Sequence, residues 1–308
     1  MIKKLSKEQE EKLKGLSDSQ VEMMKKFWEN PNYIEDVSEK DQFYFLAEEA
    51  VKENPYHYSR IRKDLRTEEL CLELVINHPS FFPNIEEKTE AVCVHAVRGL
   101  WTNLKYVENQ SLDLCKKAVE KFPGALRYAK YRDEEMVLGA LKKNGLLLKY
   151  VKEQTEAMCW RALHSNYNAF KFIEAPTKEM IDFALEREGR LIDYIKNPTR
   201  EMYELALTKG ATFGILQDIE QTELACEVAV EVQPFYIGDI INPSEELCLK
   251  AIRKNWHAIR EIENKTPNLC LEAVRQNGLA LQYIENQTSE LCMIAYEQNP
   301  EAEEYFNI

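Results

Sequence analysis

What this sequence lacks narrows it first. Its 308 residues include only 10 glycines and 11 prolines, too few for an all-β chain of many short strands and tight turns. No apolar run approaches the ~20 residues that span a bilayer, so no membrane partner is expected. The opening MIKKLSKEQEEKLKGL has lysines but no apolar segment behind them and does not read as a secretory signal. Basic residues are in deficit: 40 Lys and Arg face 53 Asp and Glu, for a net charge of −13. That argues against nucleic-acid binding by the surface as a whole. HExxH, a glycine-rich phosphate loop and GxSxG are missing, so no catalytic residue, metal ligand or cofactor is assigned and the chain reads as a non-enzyme. What is there, 44% hydrophobic and 30% charged residues, is the balance of a folded chain rather than a disordered one.

The dominant positive signal is self-similarity. One frame starts at Thr67 and recurs at Thr89, Ser111, Asp133, Thr155, Thr177, Thr199, Thr222, Ser244, Thr266 and Thr288. The step is 22 residues except from Thr199 to Thr222, where it is 23. Each opening residue is a helix N-cap, its side-chain oxygen accepting a bond from an orphan backbone N–H. Glu follows in many first turns (Glu68, Glu69, Glu134, Glu135, Glu245, Glu246), opposing the helix dipole. Apolar residues three, four, seven and eight after the cap make one face of an amphipathic helix. Asn-Gly or Asn-Pro then ends it, as at Asn144-Gly145, Asn277-Gly278, Asn54-Pro55 and Asn299-Pro300. Glycine there is expected to take the left-handed conformation that closes many helices. A shorter apolar stripe follows (Leu281, Tyr283, Ile284), and Pro or Gln leads to the next cap.

Position seven is Ala in ten of the eleven repeats, from Ala96 to Ala295, with Leu74 the exception. A small residue held in one register lets neighbouring helices approach, and a 22-residue unit cannot bury its apolar face alone. The fold expected is therefore an all-α solenoid of about twelve short two-helix repeats over 38–308, its handedness left open. Capping boxes at Ser6/Gln9 and Ser17/Gln20 open two further helices, Lys7 to Leu16 and Asp18 to Asn30, within an N-terminal helical cap over 1–37. The extra residue near GATFGILQDIEQ, with Gly210 and Gly214, is expected to distort the second helix of its repeat and bend the superhelix.

DEEMVLGALKKNGLLLKYV from Asp133 and NLCLEAVRQNGLALQYIENQT from Asn268 resemble the short tandem α-helical repeats of giant viruses, large phages and some bacteria. AVKENPYHYSRI is similar to the variant leucine-rich repeat, whose second helix is of the tighter 3₁₀ form. The resemblance implies an open helical superhelix with no catalytic motif to carry over. Its viral setting implies an inhibitor of host machinery or defence, acting in the host cytoplasm.

All eight cysteines sit four after the cap: Cys71, Cys93, Cys115, Cys159, Cys226, Cys248, Cys270 and Cys292. Stacked helices lie ~8–10 Å apart, too far for disulfides or a zinc site built one ligand per rung. These are read as small buried hydrophobes, and unpaired thiols suit a reducing, cytoplasmic compartment. The histidines of the regular repeats, His78, His95, His164 and His257, occupy four different positions and form no row.

One polar pattern is left. Sixteen after the cap, consecutive repeats carry Lys105, Arg127, Lys149 and Lys171, a stripe that stops at Asp193 and Gly238 and recurs at Arg260. It reads either as a basic stripe for a phosphate chain or acidic partner or as ordinary solvent-facing charge. Tyr106, Tyr128, Tyr150, Phe172 and Tyr194 come next in register and read as core, with a stacking platform as the alternative. Trp101, Tyr167 and Trp256 stand at the turn between helices, and Trp160 on a first helix; exposed aromatics of this kind anchor protein interfaces. The function expected is a binding scaffold for a macromolecular partner, most readily a protein. Nucleic-acid or phosphorylated-ligand binding through the stripe is the second reading. A helical-repeat enzyme acting on nucleic acid, like the repeat glycosylases that work with little more than an Asp and aromatics in a groove, is the third.

Overall fold

The computed structural model describes residues 6–209 and 220–307, so the expected distortion around Gly210 and Gly214 lies outside the described residues. The chain forms an all-α repeat solenoid, with no strand among the described residues. It divides into two compact bodies, Met1–Ala140 and Leu141–Ile308.

The repeats form because each cap works. The side chains of Thr67, Thr89, Ser111, Thr155, Thr177, Thr199, Thr222, Ser244, Thr266 and Thr288 all accept from the backbone N–H three residues on. Asp133 does the same toward the Met136 N–H at 2.9 Å. A typical α-helix of about ten residues follows, such as Glu90–Gly99 or Pro267–Gln276. The second helix is 3₁₀, as in Trp101–Tyr106 and Gly278–Tyr283. Within each body α-helices stack on α-helices and 3₁₀-helices on 3₁₀-helices, giving two layers. The core lies between them: Leu70, Cys71, Leu74 and Val75 face inward from the α layer, Leu147, Leu148 and Val151 from the 3₁₀ layer. The position-seven alanines are at most 5% exposed, as the close-approach argument requires.

The glycine expectation is overturned. Among described glycines only Gly15 has positive φ. Helices end instead at an extended Asn, such as Asn144 (φ −154) and Asn277 (φ −157), whose Oδ1 accepts the N–H two residues on and caps the 3₁₀-helix. Gly145 and Gly278 are needed for proximity. A Cβ at Gly145 would lie 2.2 Å from the Ala162 carbonyl oxygen, and one at Gly278 2.3 Å from that of Ala295.

At the N-terminus both capping boxes form. The first helix, Lys7–Lys12, is shorter than expected because the chain turns at Gly15 (φ 92); the second is Asp18–Glu29.

Candidate binding surface

The residues sixteen and seventeen after each cap end the 3₁₀-helix. With about three residues per turn, positions fourteen, fifteen and eighteen line up inward and these two are left outside. The aromatic row is therefore not core, contrary to expectation. Tyr106 is 40% and Tyr194 58% exposed, while Tyr128, Tyr150 and Phe172 are half-buried. All but Tyr194, which follows Asp193, carry the preceding cation over the ring. In the first body Lys105 Nζ stands 4.5 Å from the Tyr106 centroid and Arg127 Cζ 5.4 Å from that of Tyr128. In the second, Lys149 Nζ is 4.9 Å from Tyr150 and Lys171 Nζ 5.3 Å from Phe172. All four cations are exposed, and Lys105, Lys149 and Lys171 form no ion pair with a described residue. The Tyr106 side chain pushes the Lys105 ammonium above its ordinary range, while the like charge of Arg127 works the other way. Such contacts contribute roughly 0.5–1 kcal/mol each at exposed sites, enough to orient a lysine but not to bury it. The later member, Arg260, is neutralised by Glu261 at 2.7 Å.

The aromatic anchors divide. Trp101 is half-buried against the next repeat: a Cβ at Gly124 would lie 3.2 Å from its ring, and the Tyr128 ring is 5.9 Å away. Trp256 is half-buried, stacked on His257 at 3.5 Å. Tyr167, in the second body, borders a hollow of about 570 Å³ near the ends of the helices Glu156–Ser165 and Lys178–Leu185, and Trp160 packs behind two of its lining residues, His164 and Phe183. Trp160, His164 and Phe183 meet there with centroids 5.1–5.5 Å apart. Arg187 lies over Phe183, its Cζ 3.4 Å from the centroid. Phe183 and Arg187 escaped the sequence reading. Their signal was the four-residue spacing that puts two side chains on one helical face, shared by Trp160 and His164.

The glutamine before the cap also escaped it. Gln110 Nε2 donates to Leu104 and Tyr128 carbonyls at 2.8 and 3.0 Å; its Oε1 accepts from the Lys130 N–H at 2.8 Å and the Cys115 thiol at 3.2 Å. Gln154, Gln221 and Gln287 make the same bridge to the following repeat. In three repeats the clamp takes in the cysteine, the thiols of Cys115, Cys159 and Cys292 reaching the amide oxygen. All eight cysteines are buried and free, and burial pushes the thiols of Cys71, Cys93, Cys159 and others above their ordinary range. Among the described residues no group of three or more His, Cys, Asp or Glu side chains is placed to hold a metal ion. No helix among them is long and apolar enough to cross a membrane.

A family model described as a domain of unknown function, DUF4116, matches residues 112–155. That stretch is two repeat lengths and runs from the residue after the Ser111 cap to the Thr155 cap. No curated protein and no solved structure matches the chain.

Proposed function

We propose that this chain is a non-enzymatic binding scaffold that grips a macromolecular partner, a protein presenting acidic side chains, through the outer 3₁₀ faces of its two bodies. The observation behind this reading is the cation–aromatic pair in four consecutive repeats, held on the outside while the core is completed by other positions. Exposed charge complementarity adds chiefly to specificity and association rate, which suits an extended gripping surface. The likeness to viral repeats supports a narrower form, an inhibitor of host machinery or defence. The eight thiols buried without disulfides support action in a cytoplasm.

The nucleic-acid reading has one observation in its favour, the exposed Tyr106 ring beside Lys105, since ring faces next to cations stack bases. Both readings are tested with a variant carrying Lys105→Gln, Arg127→Gln, Lys149→Gln and Lys171→Gln. Fluorescence anisotropy is measured against labelled poly-glutamate and labelled oligo-thymidine over a salt series. The scaffold reading expects poly-glutamate binding that the variant loses. The nucleic-acid reading expects oligo-thymidine binding whose log–log salt slope falls by about one for each phosphate contact removed. Unchanged binding by the variant refutes both.

A further inference from the structure

We infer that the hollow beside Trp160, His164, Phe183 and Arg187 is a side-chain pocket for an anionic oxygen group, a carboxylate or phosphate, presented by a polypeptide. This rests on the scaffold reading and adds a point of specificity away from the cation–aromatic pairs.

The hollow is lined by Leu163, His164, Ser165, Asn166, Tyr167, Asn168, Phe183 and Arg187. None is acidic, in a chain with a net charge of −13. Arg187 is exposed and preset: its guanidinium rests on Phe183 and one N–H donates to the Phe183 carbonyl at 2.9 Å. Glu186 pairs with the guanidinium only loosely, Nη1 to carboxylate oxygen at 3.9 Å, beyond hydrogen-bond reach. The other N–H groups are held in a plane, the arrangement in which guanidinium forks a carboxylate or phosphate. Further donors surround it. Ser165 Oγ accepts the Gly145 N–H at 3.1 Å and retains its own O–H. Asn166 Oδ1 accepts the Asn168 N–H at 2.9 Å, which leaves its amide N–H₂ for a ligand. His164 Nδ1 donates to the Trp160 carbonyl at 2.7 Å, so the neutral ring presents only an acceptor at Nε2 and is not counted among these donors.

The ring geometry favours a peptide over a nucleic acid. Trp160, His164 and Phe183 contact one another, and Arg187 covers a face of Phe183. Base stacking needs open ring faces, and all three of these rings are already engaged. A hollow of about 570 Å³ instead admits one side chain with its neighbours, the apolar rings receiving the aliphatic part.

The test uses the full chain and three fluorescent ten-residue peptides, identical except for a central Gln, Glu or phosphoserine. Anisotropy is read with the wild type, with Arg187→Met, which keeps the stem over Phe183 but removes the charge, and with the variant neutralised at Lys105, Arg127, Lys149 and Lys171. We expect the Glu or the phosphoserine peptide to bind at least ten-fold tighter than the Gln peptide, and Arg187→Met to erase that preference with circular dichroism unchanged. Preference for phosphoserine, competed by millimolar inorganic phosphate, assigns a phosphate pocket; preference for Glu, not competed, assigns a carboxylate pocket. The four-site variant should keep the preference. If it loses the preference and Arg187→Met does not, the 3₁₀ face accounts for the binding: the scaffold reading stands and the pocket falls. Equal affinity for all three peptides overturns the inference, as does oligo-thymidine binding that Arg187→Met abolishes.

Discussion

Gly145→Ala is the sharpest test of how the repeats stack, because Gly139→Ala, six residues earlier, is predicted to act with opposite sign. At Gly145 the added Cβ would lie 2.2 Å from the Ala162 carbonyl oxygen and 3.0 Å from its carbon. Both atoms are backbone, in a helix fixed by the Thr155 cap, so no flexible side chain can yield. Restoring ordinary non-bonded separation means opening the junction by about an ångström, and overpacking of this kind costs about 1–3 kcal/mol. Stiffening of the unfolded chain by the new Ala offsets about 0.4–1 kcal/mol of that, for a net loss of about 1–2 kcal/mol. At Gly139, inside the helix Glu134–Lys143, a Cβ meets nothing within 4 Å. Alanine there gains helix propensity and should stabilise by about 0.5–1 kcal/mol. Urea unfolding followed by far-ultraviolet circular dichroism measures both, the midpoints being compared at equal slope. Gly278→Ala should repeat the loss, since its Cβ would meet the Ala295 carbonyl at 2.3 Å. If Gly145→Ala and Gly139→Ala shift the midpoint in the same direction, glycine is not required there by close approach.

Gln110→Leu should lower stability by about 1–3 kcal/mol in urea unfolding, because it strands the Tyr128 carbonyl and the Lys130 N–H. Native protein should present few thiols to a bulky disulfide reagent and denatured protein all eight; rapid labelling of several native thiols would contradict their burial. Burial raises the thiols of Cys71, Cys93, Cys159 and Cys226 in the folded state, so their contribution is complete below the ordinary thiol value of 9.0 and is lost as pH rises through the raised folded values; unfolding midpoints should fall on the alkaline side of pH 9.

The caps, the position-seven alanines and the buried cysteines were legible because each reports a property of a single position repeated many times. An N-cap oxygen acts on its own helix, and burial at positions three, four, seven and eight follows from the helical period alone. What escaped depends on pairs in different repeats. The need for Gly145 is set by the Ala162 carbonyl, 17 positions away, which no local rule of glycine conformation reaches. Gln110 looked like a connector because its partners Tyr128 and Lys130 belong to the following repeat. The aromatic row was misread for a third reason. Its residues are apolar and periodic, as core residues are, but a 3₁₀-helix of six residues has only one inward side, already filled by its Leu, Ile and Ala positions. The four cations and Trp160 and Tyr167 could be named from register. The hollow could not, because it needs Phe183 and Arg187 from the neighbouring repeat.

The junction at position twelve connects packing to the choice of anchor. Where that position is glycine, the next repeat brings its backbone carbonyl close. At two places where it is larger, the next repeat sets a glycine against it: Pro79 faces Gly99, whose Cβ would stand 2.7 Å from the Pro79 ring, and Trp101 faces Gly124. Large residues are matched by small ones opposite, the rule of volume-conserving packing. Trp101 is therefore part of the stack as well as of the surface, and its substitution has a structural cost that Tyr167, exposed at the hollow, does not carry. A double-mutant cycle makes this quantitative. Trp101→Ala should cost about 1–3 kcal/mol, less than the 3–5 of a fully buried ring, since Trp101 is half-buried. Gly124→Ala crowds the ring at 3.2 Å in the wild type, but in the Trp101→Ala background it fills vacated space and should stabilise. The coupling expected for such contacting pairs is about 0.5–3 kcal/mol, read from urea midpoints of the four proteins. Additive effects would show that Trp101 does not pack on the next repeat; any binding lost with it would then belong to the partner's interface alone.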